Sequence, residues 1–302
     1  FIRNPGGSSE HNIRYKKKVA DGSLIGPDAK IAGEILNQGA FDGLVLDINK
    51  HMSLQTAIEQ QKAAGIDIIK LYAGLTEHQV QEAIKIGHSL NMTVIGHLEE
   101  VSWTDAANWQ IDGLVHAIPV SSKLLNAEAK TAYEQNSRPG AFAHFEWYEH
   151  ADLNSPAMQA LYKALRENQV HIDPTLIVFK NSFYGDTKAV TEHPQLEHVH
   201  PELVNNWRTF FTFNMGWQEQ DFIRAKKAWP KVLGFVKRLY QEGIPLTIGS
   251  DLGNPWVIPG LSVHQEMQLF ADAGIPNKDI LRMATLNAAE HLNIADKHGS
   301  IE

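Results

Sequence analysis

The sequence predicts an α/β fold, and specifically a (β/α)8 TIM-like barrel. Short apolar runs rich in β-branched residues alternate with helix-period segments along most of the chain. The runs are apolar throughout, which is typical of parallel strands covered on both faces. A chain of 302 residues also suits one barrel. Because strand and helix alternate so many times, we prefer the closed barrel to its alternative, a doubly wound open sheet.

Each predicted element has a local signal. Thr76 is placed to cap a helix whose first turn carries Glu77, and glycines follow several helices. β-Branched runs between the helices predict buried strands. The predicted strands are 66–71, 92–97, 112–116, 170–179 and 245–250. The predicted helices are 76–90, 103–110, 156–168, 229–243, 261–273 and 277–292.

One stretch, 180–227, interrupts this alternation. It is long and polar, and it carries the aromatic residues Phe183, Tyr184, Trp207, Phe210, Phe211, Phe213 and Trp217. Long insertions in barrels usually lie at the rim of the active site, so we expect a lid. A helical hairpin packed on the outer wall is the alternative. The domain prediction is therefore one barrel domain, 1–302, with a lid-like insertion at about 180–227.

Composition excludes several classes of function. With 35 acidic and 27 basic residues, the net charge of −8 gives no electrostatic reason to bind nucleic acid or an anionic membrane. The chain has no cysteine, which excludes disulfides and thiolate-ligated zinc. No apolar run approaches the roughly 18 residues of a membrane span. We expect a small-molecule substrate, and the sequence leaves the compartment and the oligomeric state open, a homo-oligomer included.

Four predicted strands end in side chains that can bind a metal. Lys70, His97 and His116 end the first three predicted strands, and Asp251 directly follows the strand 245–250. In a barrel the carboxyl ends of the strands form the active site. Each residue alone has an ordinary explanation, such as a salt bridge, a rim position or a helix cap, but the four together indicate one centre. Imidazole and oxygen ligands without sulfur suit zinc, manganese or a similar divalent ion.

Further histidines and a tyrosine are weaker candidates. Tyr72 lies two residues beyond Lys70, so it can contact substrate or only pack the wall. His264, early in a predicted helix after Asp251, is a candidate for supporting the metal ligands and for binding substrate. His198 and His200 form a His-x-His pair in a loop bracketed by prolines, which indicates the surface. His144 and His171 have no strand-end context, and we expect surface or packing roles for them.

Several of these motifs together resemble the amidohydrolase superfamily, and in particular its imidazolonepropionase-like and prolidase-like branch. The similar segments are 69–73, 94–97, 112–116, 248–251, 259–264, 283–289 and 299–301. The resemblance implies a binuclear metal centre, with zinc as the first expectation. By that resemblance, a carbamylated Lys70 bridges two ions, and His97 and His116 bind the second. Asp251 binds the first ion and acts as the general base.

The sequence departs from the family pattern at its beginning. The family carries a His-x-His pair on its first strand, whereas the segment 1–7 resembles the second strand and the turn after it. We therefore expect a barrel that is incomplete at the N-terminus and lacks most of the accessory β-sandwich.

The predicted function is metal-dependent hydrolysis of an amide C–N bond, in a dipeptide or an N-acyl amino acid. One alternative is a cyclic amidase or deaminase of the same superfamily. The other is a non-catalytic barrel remnant.

Overall fold

The computed structural model describes residues 1–39, 44–48, 52–212 and 214–300. Its strands are β1 (Ile2–Asn4), β2 (Ala29–Ile31), β3 (Ile35–Asn37), β4 (Val45–Asp47), β5 (Ile68–Leu71), β6 (Thr93–Gly96), β7 (Gly113–Val115) and β8 (His171–Asp173). The first helices are α1 (Ser9–Ala20), α2 (Leu54–Ala64), α3 (Glu77–Ser89), α4 (Trp103–Asn108), α5 (Ala127–Asn136), α6 (Ala143–His150) and α7 (Pro156–Glu167). The remaining helices are α8 (Leu176–Phe183), α9 (Lys188–Thr191), α10 (Pro201–Thr209), α11 (Glu219–Gln241), α12 (Leu261–Asp272), α13 (Asn277–Ala284) and α14 (Leu286–His291). Short 3-10 helices lie at Ser122–Leu124, Gly140–Phe142 and Pro194–His198.

Parallel pairing joins the strands. Six of them form a sheet in the order β4-β3-β5-β6-β7-β8, and β1 pairs in parallel with β2. A single bridge from Ala32 to Ile68 connects the β2 segment to β5, and a bridge from Ile172 to Leu246 continues the ladder beyond β8. Within the described residues, no bridge joins the Leu246 segment to β1. The predicted α/β fold with a parallel sheet is confirmed.

The core lies between this sheet and its helices. Every residue of β5 and of β7 is buried, which agrees with strands that are covered on both faces. On the helix side, α3 buries Val80, Ala83 and Ile84, which recur at helical spacing. A fully buried aliphatic side chain contributes about 1.5–3 kcal/mol relative to an exposed one, so this two-sided burial fixes the strand register.

Helix signals in the sequence gave accurate boundaries in the first half of the chain. Thr76 caps α3 through a capping box with Gln79, and both reciprocal bonds are present. Ser155 caps α7, whose first residue is Pro156, the position at which proline costs a helix nothing. The strands predicted at 66–71, 92–97 and 112–116 are present as β5, β6 and β7.

Two strand predictions were wrong or too long. The predicted strand 170–179 ends at Asp173, and α8 begins at Leu176. An apolar run bounded by no turn residue fits a buried helix as well as a strand, and Pro174 ends the strand because it has no N–H for the ladder. The predicted strand 245–250 is reduced to the single bridge at Leu246.

Two helix predictions had wrong limits. The helix predicted at 229–243 begins ten residues earlier, at Glu219, and contains Pro230 in its interior. Proline is common at the first position of a helix, so Pro230 led us to place the start of the helix too late. The predicted helix 277–292 is broken at Thr285, whose φ of −127° and ψ of −86° are not helical.

The insertion predicted at 180–227 contains short helices joined by turns. It comprises the end of α8, then α9, α10 and the first part of α11. A small core joins the insertion to the segment after Asp251 and packs Trp207 against Trp256, with ring centroids 5.9 Å apart. Phe213, one of its predicted aromatics, and Ile301, in the last similar segment, lie outside the described residues. Across the described ranges, no helix is both long and apolar enough to cross a lipid bilayer.

Candidate active site

The four predicted metal-binding residues line one cavity at the carboxyl ends of the strands. The cavity has a volume of about 360 Å³. Its polar lining includes Lys70, Tyr72, His97, His116, His144, Ser182, Asp251 and Asn254. Its apolar lining includes Ile35, Leu44, Ile118, Val178, Phe179, Phe211 and Leu252. The structure therefore brings together side chains that are as much as 181 positions apart in the sequence.

The ladder itself positions the first two of these residues. Lys70 is the third residue of β5 and is buried. His97 follows β6, and its backbone N–H still donates to the Leu71 carbonyl at 3.0 Å, so it continues the strand pairing. The His97 ring lies edge-on between Tyr72 and His116, with both centroid distances 4.7 Å. Tyr72 thus contacts the candidate centre directly.

Left-handed backbone conformations position the next residues. His116, Thr175 and Asp251 have φ values of 73°, 46° and 50°. Such values are uncommon for residues other than glycine, and for a β-branched threonine they cost roughly 1–3 kcal/mol. Three of them lie at the ends of three neighbouring strand segments, which is where strained backbone is most often used for function.

Side-chain hydrogen bonds hold each candidate ligand. His97 Nε2 lies 3.1 Å from Glu99 Oε1, and His116 Nδ1 lies 2.8 Å from Thr175 Oγ1. Asn254 Nδ2 donates to Asp251 Oδ2 at 2.6 Å. Each imidazole therefore has one nitrogen engaged with a protein oxygen, and that bond fixes the orientation of the ring.

A buried ion pair lies beneath the centre. Arg3 on β1 donates to Asp173 on β8, and its other terminal nitrogen lies 3.0 Å from His291 Nε2. Asp173 in turn closely approaches the Leu246 segment: a Cβ added at Gly249 would lie 2.2 Å from Asp173 Oδ2. Only glycine fits there, so the pair links β1, β8 and the segment that leads to Asp251.

Burial shifts the acid–base properties of the centre. It lowers the pKa of Lys70 to about 7, although the charge of Asp251 opposes the shift. Burial raises the pKa of Asp251, and Lys70 is the strongest opposing influence. Lysine and aspartate thus stabilise each other's charges across the cavity.

The same cause acts on the aromatic side chains. Burial lowers the pKa of His116 well below its usual value, and the nearby His97 and Lys70 add to this effect. Burial also raises the pKa of Tyr72, with Glu99 as the next contribution. His116 is therefore a neutral imidazole, the form in which histidine binds a metal.

The donor set fits a divalent metal ion in its chemistry. Two imidazoles, one carboxylate and one lysine amine face the cavity, and the described residues offer the second nitrogen of His97 and of His116 no hydrogen bond. This arrangement matches the outer bonds that orient metal-binding histidines. No group of three His, Asp or Glu side chains is already arranged for a metal within the described ranges. Binding one would therefore require adjustment of these side chains.

Not every predicted site residue reaches the cavity. His264 lies exposed on α12 and does not line it. His198 and His200 are exposed, as expected for a surface loop. His144, for which we expected a surface or packing role, lines the cavity from α6.

Several contributors had no usable sequence signal. Arg3 and Thr175 belong to segments that look like ordinary strands in the sequence, and Ser182 lies in the insertion predicted at 180–227. Glu99 lies two residues beyond His97, in a loop that follows a predicted strand. Its closeness to His97 was the one sequence signal that could have identified Glu99.

Comparison with known proteins supports the resemblance. Residues 231–302 match the model of the amidohydrolase family. A comparison with curated protein sequences found no match.

Several solved structures share the fold over nearly the whole chain. A Xaa-Pro dipeptidase with bound methionine in its active site matches with a TM-score of 0.62 and 19% identity, covering 99% of this chain and 66% of that one. A bottromycin amidohydrolase matches with a TM-score of 0.70 and 17% identity, covering 98% and 62%. A putative prolidase from Bifidobacterium longum matches with a TM-score of 0.65 and 16% identity, covering 100% and 64%. The chain thus spans less than two thirds of the length of these relatives.

Proposed function

We propose that this protein is a metal-dependent hydrolase that cleaves an amide C–N bond in a dipeptide or an N-acyl amino acid. The observation that carries the proposal is the convergence of Lys70, His97, His116 and Asp251 on one cavity at the carboxyl ends of parallel strands. The match to the amidohydrolase family and the likeness to a Xaa-Pro dipeptidase and a putative prolidase support it.

Each residue of the centre has a distinct role in this proposal. Lys70, as its carbamate, and His97, His116 and Asp251 would hold one or two divalent ions, with zinc or manganese as the candidates. Such ions supply an activated water and polarise the scissile carbonyl. Asp251 accepts the proton of the attacking water and passes it to the leaving amine. Tyr72 contacts the substrate beside His97, from which its ring is 4.7 Å away.

The cavity walls favour a substrate with an apolar side chain. Ile118, Val178, Phe179 and Phe211 all line the cavity, and Phe211 comes from the insertion. We propose that the insertion 180–227 acts as a lid over this apolar part of a single domain. The (β/α)8 arrangement of that domain is likewise part of the proposal, since Arg3 on β1 and Asp173 on β8 meet across the sheet interior. The substrate is a small molecule, and nucleic acid and membrane are not partners.

Removal and return of the metal tests the proposal. The protein is treated with a chelator, dialysed, and then assayed with and without added zinc or manganese on a panel of dipeptides and N-acyl amino acids. We expect turnover only with the metal, and higher kcat/KM for substrates with leucine or phenylalanine side chains than for glycine substrates. Equal turnover by the chelated and the metal-loaded protein would refute metal dependence.

A further inference from the structure

One wall of the cavity carries two polar side chains that the proposed chemistry leaves unused. His144 extends from α6 and Ser182 from α8, and both line the cavity. The four residues of the centre have protein partners or a proposed role in catalysis, whereas these two have neither. A polar side chain in a cavity wall needs a reason when it has no partner, because burying it unpartnered costs free energy.

The Ser182 hydroxyl is buried and unpartnered. Ser182 is 7% exposed, and its Oγ has no hydrogen-bond partner in the part of the chain that the structure describes. An unsatisfied buried hydroxyl costs about 1–3 kcal/mol, so such groups are rare unless something else binds them. Because Ser182 lines the cavity, a bound molecule can supply the missing acceptor.

The His144 imidazole lies nearby on the same wall. Its ring packs edge-on against Phe179, with centroids 5.5 Å apart, and no described residue forms a hydrogen bond with it. Phe179 and Ser182 are three positions apart on α8 and so lie on one face of that helix. The Phe179 ring also lies 6.2 Å from that of His116, so it packs against both histidines.

We propose that His144 and Ser182, on either side of Phe179 in the cavity wall, form a subsite that binds the free carboxylate of the substrate. This inference rests on the proposed function, because a dipeptide or an N-acyl amino acid has two acceptor groups. The scissile carbonyl belongs at the centre, which leaves the terminal carboxylate for a second set of donors. A hydroxyl and an imidazole N–H supply two such donors, and neither conflicts with the apolar wall that receives the side chain.

A binding experiment on the metal-free protein tests the subsite without turnover. N-acetyl-L-leucine and N-isopentylacetamide have the same amide and the same isobutyl group, and only the first has a carboxylate. We expect the wild-type protein to bind the acid about tenfold more tightly in calorimetric titrations, as befits hydrogen bonds to a charged group. His144→Phe keeps the ring packing on Phe179, and Ser182→Ala removes only the hydroxyl. Each should weaken acid binding about five- to tenfold and change binding of the neutral analogue less than twofold.

Matched variants separate recognition from folding. His144→Gln restores an N–H donor and should recover part of the preference for the acid. His150→Gln changes the last residue of the same helix, which is not among the cavity residues, and should leave both affinities unchanged. Thermal unfolding of all variants confirms that they fold.

The outcomes distinguish the subsite from the proposed reaction. Equal affinity of the wild type for both ligands, or a parallel loss for both in the variants, would overturn the subsite even if the metal-loaded protein hydrolyses amides. A carboxylate preference that the variants abolish would support the subsite even if no hydrolysis were found.

Discussion

The strands β5 and β6 bring their residues to the cavity differently from β7, β8 and the Leu246 segment. Lys70 lies within β5, and His97 continues the ladder through a backbone bond to Leu71. On the other side, His116, Thr175 and Asp251 are all left-handed residues at the point where a strand ends. Side-chain bonds, from Thr175 to His116 and from Asn254 to Asp251, hold that side.

This difference indicates which side of the site is more sensitive to substitution. A ladder position is fixed by many backbone bonds, and one side-chain change seldom moves it. A left-handed residue stays in place only because its surroundings over-determine it. We therefore expect substitutions around β7, β8 and the Leu246 segment to impair function even when they do not touch the substrate.

The largest effect is expected at Asp251. Asp251→Asn keeps the size of the side chain and removes its basicity, and a general base typically contributes 10²- to 10⁴-fold to a rate. We expect kcat/KM to fall by about a thousandfold in the metal-loaded protein. Asn254→Ala removes the hydrogen bonds that its amide donates to the Asp251 carboxylate and backbone carbonyl and should have a much smaller effect. Unchanged turnover by Asp251→Asn would remove this residue from the mechanism.

The next largest effect is a loss of folding stability when the ion pair between β1 and β8 is broken. Arg3→Met leaves the Asp173 carboxylate buried without its partner, which should lower the free energy of unfolding by about 3–5 kcal/mol in urea titrations. The double variant Arg3→Met, Asp173→Asn should recover much of this loss. Arg166→Met breaks a surface pair with Glu242 and should cost no more than about 1 kcal/mol. If Arg3→Met and Arg166→Met lowered the free energy of unfolding equally, the buried pair would not be what joins β1 to β8.

A smaller effect is expected from the bond that holds His116. Thr175→Val keeps the β-branched shape and removes the hydroxyl 2.8 Å from His116 Nδ1. The loss of one hydrogen bond, about 0.5–1.5 kcal/mol, should lower kcat/KM by up to tenfold. Thr175→Ser keeps the hydroxyl and should retain most activity. If both variants behave alike, the threonine acts through its backbone conformation and not through this bond.

The same contrast explains what the sequence could predict. β5, β6 and β7 were predicted because each is a short apolar run bounded by turn or helix signals, and their end residues led to Lys70, His97 and His116. β8 was predicted too long because Leu176–Phe183 is as apolar as a strand, and only the tertiary structure makes it a helix.

The residues that the sequence did not reveal are those placed by tertiary packing. His144 lies on a helix in the long connection between β7 and β8, where no periodicity marks a cavity residue. The left-handed conformation at Thr175 has no signature in the sequence, because a β-branched residue rarely adopts it, and at Asp251 the aspartate only tolerates it. His264 was included because it follows Asp251 closely in sequence, yet it lies exposed on α12.

The smallest expected effect on stability concerns the ion pair that anchors the end of the insertion, at the start of α11. Arg138 donates to Asp221 at 2.7 Å, at the start of α11, and this bond lowers the pKa of the Asp221 carboxyl. A lowered pKa in the folded state stabilises the protein above the unfolded pKa of about 4, and this stabilisation is lost as pH falls through the folded value. Arg138 also pairs with the buried Glu146, and Arg224 lies near both carboxylates. Because Arg138 is partly exposed and Arg224 remains beside both partners, we expect Arg138→Met to lower the free energy of unfolding by no more than about 1 kcal/mol at pH 7. The difference from the wild type should shrink as the pH falls below about 4, because Asp221 of the unfolded chain takes up its proton there and folded Asp221 takes up its proton at lower pH. A difference that is constant from pH 7 to pH 3 would instead attribute the loss to the packing of Arg138 on the Phe142 ring, 3.8 Å from its guanidinium carbon.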